Sequence, residues 1–238
     1  MKLRNAVLVG VVLAMATTIP TVQATLLSDL TNPDGTAKAG AYLTVDDKIF
    51  TGINYVNGGI SGFDPTKITV STSEVNGVDY LDFTGPILVN NIVGAGYLLG
   101  DLKIGYTVTA TAGSIVMIDQ NYTPNAVNVA NSQIIIGETA RDSVNNNTYI
   151  STLTLNPVDL ADPVAEPGDN LNIPGGSQQL IVVKDISIAA AAGELVGLSD
   201  VEQSFHQVPE PTTVIAGALL LLPLGASTLR ILRRNRIS

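Results

Sequence analysis

The amino-acid sequence predicts an all-β fold, an antiparallel β-sandwich or jelly-roll-like domain between two apolar chain ends. Short segments of the middle alternate hydrophobic and polar residues with the period of a half-buried strand. Clusters of Gly, Asn and Pro separate these segments, as turns between strands require. No middle segment combines a helical period with capping residues, although residues 188–195 are alanine-rich enough to form a short helix.

The strands are predicted from this alternation. Residues 101–110 show it most clearly, because Leu102, Ile104 and Tyr106 fall on one face and polar residues fall on the other. The other predicted strands are residues 41–45, 48–56, 67–73, 80–84, 114–120, 132–137, 149–155 and 179–189. Residues 156–176 are rich in Pro, Asp and Gly, and we expect them to form a long exposed loop before the last strands.

The N-terminal residues 1–24 have the three parts of a secretory signal peptide. Lys2 and Arg4 precede an apolar run over residues 6–16, and small residues follow Pro20. The apolar run is shorter than the roughly 20 residues that span a bilayer. Cleavage is therefore expected between Ala24 and Thr25, which leaves residues 25–207 as the exported domain.

The C-terminal residues 208–238 form a second targeting segment. Residues 212–229 carry no charge and are long enough for a single transmembrane helix. Pro209, Glu210 and Pro211 precede this helix in an extended conformation, because proline locks φ and donates no backbone hydrogen bond. A basic tail follows the helix and is expected to remain cytoplasmic; its arginines are Arg230, Arg233, Arg234 and Arg236.

The ordered combination of Pro-Glu-Pro, a short apolar helix and an arginine-rich end resembles the PEP-CTERM sorting signal of Gram-negative bacteria. The resemblance covers residues 208–238. It implies that the C-terminal helix anchors the protein transiently in the inner membrane. It also implies that a membrane-embedded exosortase cleaves near the motif and passes the protein to the cell surface or its exopolysaccharide. A permanent tail anchor behind a Pro-rich linker is the alternative interpretation.

The exported domain also resembles a recurrent, uncharacterised type of PEP-CTERM surface protein. The segments that carry this resemblance are residues 46–50, 53–55, 182–186 and 199–207. The resemblance implies membership of that type only. It implies no activity, and no catalytic residue follows from it.

Composition excludes several classes of site. The chain has no Cys, so it contains no disulfide, no thiolate zinc site and no cysteine nucleophile. Six of its 12 basic residues flank the terminal apolar runs, so the middle carries only six against 21 acidic residues. Such an acidic surface repels phosphate groups, and we therefore expect no nucleic-acid partner.

The sequence contains few residues in a pattern typical of an active site, and we predict that the protein is not an enzyme. The candidate carboxylate pairs for glycoside hydrolysis are Asp79 with Asp82, Asp159 with Asp162, and Glu166 with Asp169. The chain has no Trp to stack on a sugar ring. His206 is the only histidine, and we expect it to lie in a surface linker rather than in a catalytic triad.

Two binding alternatives remain open. Oxygen-rich loops could bind calcium weakly without matching a known calcium-loop motif; their donors are residues 32–35, Asp159, Asp162, Glu166 and Asp169. No other metal or cofactor is expected. Thr107, Thr109 and Thr111 share one strand face, as in ice-binding surfaces, but no repeat of about 20 residues multiplies that face.

The sequence thus predicts an exported, non-enzymatic cell-surface or extracellular-matrix protein. An exosortase would sort it through Pro209, Glu210 and Pro211, and it would associate with exopolysaccharide in a biofilm. The main alternative is a polysaccharide-binding surface module that uses calcium in its acidic loops. A carboxylate-dependent hydrolase and an ice-binding protein are the weaker alternatives.

Overall fold

The computed structural model describes residues 22–127, 131–155 and 169–208. These residues form one four-residue helix, α1 (Leu27–Leu30), and a series of strands. The strands are β1 (Gln23–Leu26), β2 (Tyr42–Val45), β3 (Lys48–Asn57), β4 (Thr69–Val75), β5 (Val78–Asn90), β6 (Leu98–Ala110), β7 (Ser114–Val127), β8 (Gln133–Asp142), β9 (Thr148–Leu155), β10 (Asp169–Ser177), β11 (Gln179–Ala190) and β12 (Leu195–Val208).

The strands are arranged in two six-stranded sheets. We name them after an interior strand: the β12 sheet has the order β1-β4-β5-β12-β7-β10, and the β11 sheet has the order β2-β3-β6-β11-β8-β9. The strand pairs of the described residues are antiparallel. Strands that are distant in the sequence lie side by side. The last strand, β12, pairs with β5 on one side and with β7 on the other. The predicted all-β class with antiparallel sheets is confirmed.

The inner faces of the two sheets meet in one hydrophobic core. Four aromatic rings lie at its centre, two from each sheet. The ring of Phe50 lies 5.2 Å from that of Phe205, and the ring of Tyr106 lies 6.3 Å from that of Phe83. Such offset aromatic contacts add to the free energy of burying the rings. The arrangement is that of a β-sandwich, whose core is shared by two packed sheets.

Each predicted strand overlaps an observed one, and the prediction missed β1, β10 and β12. Residues 156–176 are not one loop, because Asp169–Ser177 form the edge strand β10 beside β7. The predicted short helix at residues 188–195 is also wrong. Ala189 and Ala190 pair with β6, and a turn with Gly193 at φ +84° then leads into β12. Cross-strand pairing overrides the helix propensity of alanine.

Much of the targeting sequence lies outside the described residues. This holds for residues 1–21 of the predicted signal peptide, for the segment 212–229, for Pro209, Glu210 and Pro211, and for the four tail arginines. Among the residues that the structure describes, no helix has the length and apolar character needed to cross a membrane.

Candidate functional site

The outer face of the β11 sheet carries a cluster of polar side chains. Alternation along β6 turns Asp101 and Lys103 outward while Leu102 and Ile104 point into the core. The register places Asp101 opposite Ser187 and Lys103 opposite Asp185 on the neighbouring strand β11. Two strands far apart in the sequence therefore bring their polar residues together on one open surface.

Hydrogen bonds and an ion pair order this cluster. Ser187 Oγ donates to Asp101 Oδ1 at 3.1 Å, and Lys103 Nζ lies 3.1 Å from Asp185 Oδ2. Partial burial and the contact with the Asp185 carboxyl raise the pKa of Asp101, although Ser187 and Lys103 act in the opposite direction. The cluster presents a hydroxyl, two carboxyls and an ammonium group to solvent, and together these groups can donate and accept hydrogen bonds.

A depression of about 430 Å³ adjoins Asp101 and Ser187. Its volume falls in the range of small-molecule sites. Gly100 forms part of its floor, and the core side chains of Ile60 and Val89 on the inner side leave no space for a side chain at this position. Its apolar border comes from Leu99 and Ile135, whose side chains are 68% and 37% exposed. The residues that line it include Gly58, Leu99, Asp101, Gln133, Ile135 and Ser187. We call this site the β11 cleft.

A second cluster of charge lies at the edge of the core. The carboxylate oxygens of Asp46, Asp47 and Asp79 approach within 4.8 Å of one another, a spacing that could hold a metal ion. Lys48 Nζ, however, contacts both Asp47 and Asp79, the latter at 3.1 Å. The lysine ammonium thus supplies the positive charge that these carboxylates require, and the cluster is best described as a buried ion-pair network.

The calcium donors predicted in residues 32–35 form an ordinary turn. Asp34 Oδ1 accepts hydrogen bonds from the amide and the hydroxyl of Thr36, at 3.1 and 2.6 Å. These bonds lower the pKa of Asp34. Of the other predicted donors, Asp159, Asp162 and Glu166 lie outside the described residues, and Asp169 begins β10.

The carboxylate pair Asp79 and Asp82 does not form a catalytic site. The two residues are three positions apart in β5, so Asp79 faces the core and Asp82 faces outward. Asp82 lies beside Glu202 of β12 on the outer face of the β12 sheet, near Asp200. Burial, followed by the charges of Glu202 and Asp200, raises the pKa of Asp82 to about 7.

The raised pKa of Asp82, beside Glu202 and Asp200, leads us to expect an unusual pH dependence of stability at this site. Because the pKa of Asp82 is higher in the folded state than in the unfolded chain, folding favours proton binding at this carboxyl, and its contribution to stability falls as pH rises from about 4 to 7. Asp82→Asn should raise the free energy of unfolding at pH 8 by about 1–2 kcal/mol, a value reduced for the solvent screening of a partly exposed carboxyl. Urea denaturation at pH 5 and pH 8 measures the effect. Asp34→Asn is the control, because the pKa of that carboxyl is lowered, and it should bring no gain at pH 8.

His206 lies within a strand and not in the predicted linker. It belongs to β12 and is partly buried, and its Nε2 lies 3.1 Å from Ser204 Oγ. Both side chains face outward on the β12 sheet. The linker prediction was wrong because β12 extends through Val208 and pairs with β7 along that length.

The predicted threonine face is interrupted. Thr107 and Thr109 are partly exposed on the outer side of β6, whereas Thr111 follows the strand and its hydroxyl donates to Asp47 O at 3.0 Å. Ile181 pairs with Thr107 on the next strand, which breaks the threonine row across the sheet.

The predicted cleavage site lies in the edge strand β1. Ala24 pairs with Ser71, and Thr25 pairs with Val70 of β4. Cleavage between Ala24 and Thr25 would remove Gln23 and Ala24 from this strand. It would also remove the hydrogen bond from Thr44 N to Gln23 Oε1, which measures 2.7 Å.

The fold and the outer face of the β11 sheet define the class of protein. It is a β-sandwich whose β11 sheet carries a cleft with both polar and apolar side chains. No protein-family model and no curated protein matches the chain. One similar solved structure is the carbohydrate-binding module TmCBM61 in complex with β-1,4-galactotriose. It has 10% sequence identity, covers 65% of this chain and 88% of its own, and has a TM-score of 0.33.

Proposed function

We propose that this protein is an exported, non-enzymatic surface module that binds a neutral polysaccharide through the β11 cleft. The observation that carries the proposal is the Asp101–Ser187 hydrogen bond, placed at an open depression with Leu99 and Ile135 on its border. Sugar rings present hydroxyl groups at their edges and C–H groups on their faces. A cleft with charged hydrogen-bonding groups beside apolar side chains matches both features.

Charge favours a neutral polymer over an acidic one. Asp101 lines the cleft, the neighbouring Asp185 is paired with Lys103, and the chain has 21 acidic and 12 basic residues. A polyanion would be repelled by this surface unless cations screened it. A neutral glycan meets no such electrostatic penalty.

The geometry of the two carboxyls favours binding over hydrolysis. Asp185 lies close enough to Asp101 to raise the pKa of that carboxyl. Glycosidases separate their two catalytic carboxyls by about 5–10 Å, so that a sugar and a nucleophile or water fit between them. In the β11 cleft, the Asp101 carboxyl can instead accept hydrogen bonds from hydroxyl groups of a ligand.

Substitution of Asp101 tests whether the β11 cleft binds the glycan. Asp101→Ala should weaken binding to the glycan recognised by the wild type about 10-fold or more, because it removes a hydrogen-bond acceptor that is charged. Isothermal titration against soluble β-glucan, dextran and mannan, with anionic alginate for comparison, measures the affinities.

Asp64→Ala is the matched control for this experiment. Asp64 also accepts from a threonine hydroxyl, at 2.7 Å, and lies 3.4 Å from a lysine ammonium, but it is outside the cleft. The control should bind as the wild type does. Absence of binding to the three neutral glycans, or equal affinities of wild type and Asp101→Ala, would contradict the proposal.

The delivery of this module is proposed from the C-terminal sequence. Pro209, Glu210 and Pro211 would present an extended peptide to an exosortase, the segment 212–229 would anchor the chain in the inner membrane, and the arginines would keep the tail cytoplasmic. Processing would release the domain to the cell surface or an exopolysaccharide matrix. The resemblance to the PEP-CTERM signal supports this route.

Substitution of the motif tests the route. Glu210→Ala combined with Pro211→Ala should leave an unprocessed form in the membrane fraction, whereas Thr212→Ala, which borders the motif, should be processed normally. Cell fractionation and intact mass in the native host measure both outcomes. Unchanged processing and surface delivery of the double variant would refute the sorting role.

A further inference from the structure

The centre of the sandwich contains a lysine that the proposed function does not use. Lys184 of β11 points into the core and is fully buried. Its Nζ lies 3.0 Å from Oε1 of Gln120 on β7 and 3.5 Å from Oε2 of Glu138 on β8. Gln120 and Glu138 are also fully buried. An amine, a carboxamide and a carboxyl are thus held together away from water.

The contacts of Gln120 favour attack on its carboxamide. Its Oε1 accepts hydrogen bonds from Lys184 and from the hydroxyl of Tyr122, while its Nε2 donates to Ser151 Oγ at 3.2 Å. Two donors on one carbonyl oxygen withdraw electron density from the carbonyl carbon. When the lysine nitrogen adds, the Tyr122 hydroxyl remains on the oxygen and stabilises the negative charge that develops there.

The surroundings of Lys184 favour its neutral, nucleophilic form. Burial lowers the pKa of Lys184, although the charges of Glu138 and Asp119 oppose this effect. The Glu138 carboxylate lies where it can accept a proton from the lysine ammonium. A desolvated lysine beside a proton acceptor is an activated nucleophile.

We propose that Lys184 and Gln120 form an intramolecular amide bond in the folded protein, with Glu138 as the proton carrier. Glu138 takes a proton from Lys184, and the neutral Nζ then adds to Cδ of Gln120. The Cδ–Nε2 bond then breaks, and Glu138 gives its proton to the leaving nitrogen, which departs as ammonia. Nζ loses a second proton as the amide forms, and the ammonia carries that proton away as ammonium. The new bond joins Nζ to Cδ, and no oxidant or other co-reactant takes part.

The bond joins the two halves of the sandwich. Gln120 belongs to the β12 sheet and Lys184 to the β11 sheet, and the two residues are 64 positions apart. A cross-link over a loop of that length restricts the unfolded chain as a disulfide would. The chain has no cysteine. The amide cross-link would thus stabilise an exported protein covalently in the absence of disulfides.

A second buried lysine among the described residues provides an internal comparison. Lys48 also contacts a glutamine, Gln207, but it forms ion pairs with two carboxylates, those of Asp47 and Asp79. Gln207 is only partly buried, and its Nε2 donates to Asp47 Oδ2 at 2.8 Å. At Lys184, one carboxyl, that of Glu138, forms an ion pair with the amine, and a hydroxyl donates to the amide oxygen, so we place the bond there.

Mass spectrometry tests the proposal on the full chain as it is expressed. The intact mass should be lower than the mass of the same sequence by one ammonia, and a protease digest should contain a branched peptide that joins Lys184 to Gln120. Lys184→Arg keeps the positive charge and the hydrogen bond but loses the nucleophile, so it should show the full mass. Glu138→Gln should also show the full mass while circular dichroism retains the β signal.

The branched peptide decides the outcome. An Asn-Gly sequence such as Asn57-Gly58 can also lose ammonia by forming a succinimide, so a mass deficit with linear Lys184 and Gln120 peptides would overturn the proposal. A full intact mass of the wild type, or a branch at Lys48 instead of Lys184, would overturn it as well. The wild-type measurement stands even if a variant fails to fold.

Discussion

Phe205→Ala is expected to lower the free energy of unfolding by about 3–5 kcal/mol, the usual cost of removing a buried aromatic ring. Phe205 is fully buried, and its ring lies 5.2 Å from Phe50 and 6.4 Å from Tyr106 of the opposite sheet. The substitution leaves a cavity where the two sheets meet. The rigid strands around it can close the cavity only in part, so most of the lost contact energy is not recovered.

Urea denaturation of the wild type and the variant measures this effect. Val208→Ala is the matched control, because Val208 ends the same strand and is 55% exposed; we expect a change within about 0.5 kcal/mol. The experiment also tests whether residues 195–208 belong to the folded domain. If they formed a linker, Phe205→Ala would change the unfolding midpoint no more than the control does.

Lys48→Met is expected to destabilise the protein by a comparable amount, about 3–5 kcal/mol at neutral pH, because it leaves a buried carboxylate without its partner. Lys48 Nζ lies 3.1 Å from Asp79 Oδ2, and both side chains are almost fully buried, at 1% and 5% exposure. Burial already raises the pKa of Asp79, and the Lys48 ammonium opposes that increase. Without the ammonium, the pKa of Asp79 should rise further.

The loss should therefore depend on pH. Because Asp79 in the variant binds its proton more tightly when folded than when unfolded, stability should fall as pH rises, and the penalty should be smaller at pH 5 than at pH 8. Lys48→Met combined with Asp79→Leu should recover much of the loss, since neither charge is then buried alone.

Lys67→Met is the control for the ion pair. Lys67 lies 3.4 Å from Asp64 in an exposed pair, with 67% of its side chain accessible. We expect a change within about 0.5 kcal/mol, as for other surface pairs. A Lys48→Met variant as stable as this control would show that the buried network adds little to the fold.

The strand β6 was predictable because its sequence alternates without interruption from Leu102 to Ala110. The strand β12 was missed for the opposite reason. A register shift between Leu198 and Asp200 inserts a bulge, so the buried positions change phase from Val196 and Leu198 to Val201 and Phe205. A bulge breaks the two-residue period that identifies a strand in a sequence. The edge strand β10 was hidden by Pro174, Gly175 and Gly176, which are typical of turns.

The β11 cleft was not predictable from the sequence. Asp101, Lys103, Asp185 and Ser187 each appear as ordinary polar positions on the exposed side of a strand. Their contact depends on the pairing of β6 with β11, which are separated by β7 to β10 in the chain. The alternating patterns do show that these side chains face outward. They do not show which strand lies next to which, so the candidate site emerged only from the register.

The sequence by itself determined the fold class, most of the strands and the faces that their residues occupy, because alternation is a local property of each strand. It also determined the targeting predictions at both ends, which depend on composition and order. Only the tertiary structure decided that Asp101 meets Ser187 across 86 positions and that Lys184 meets Gln120 across 64. Strand order, bulges and the packing of one sheet on the other set these contacts, and they result from the whole chain burying its apolar faces at once.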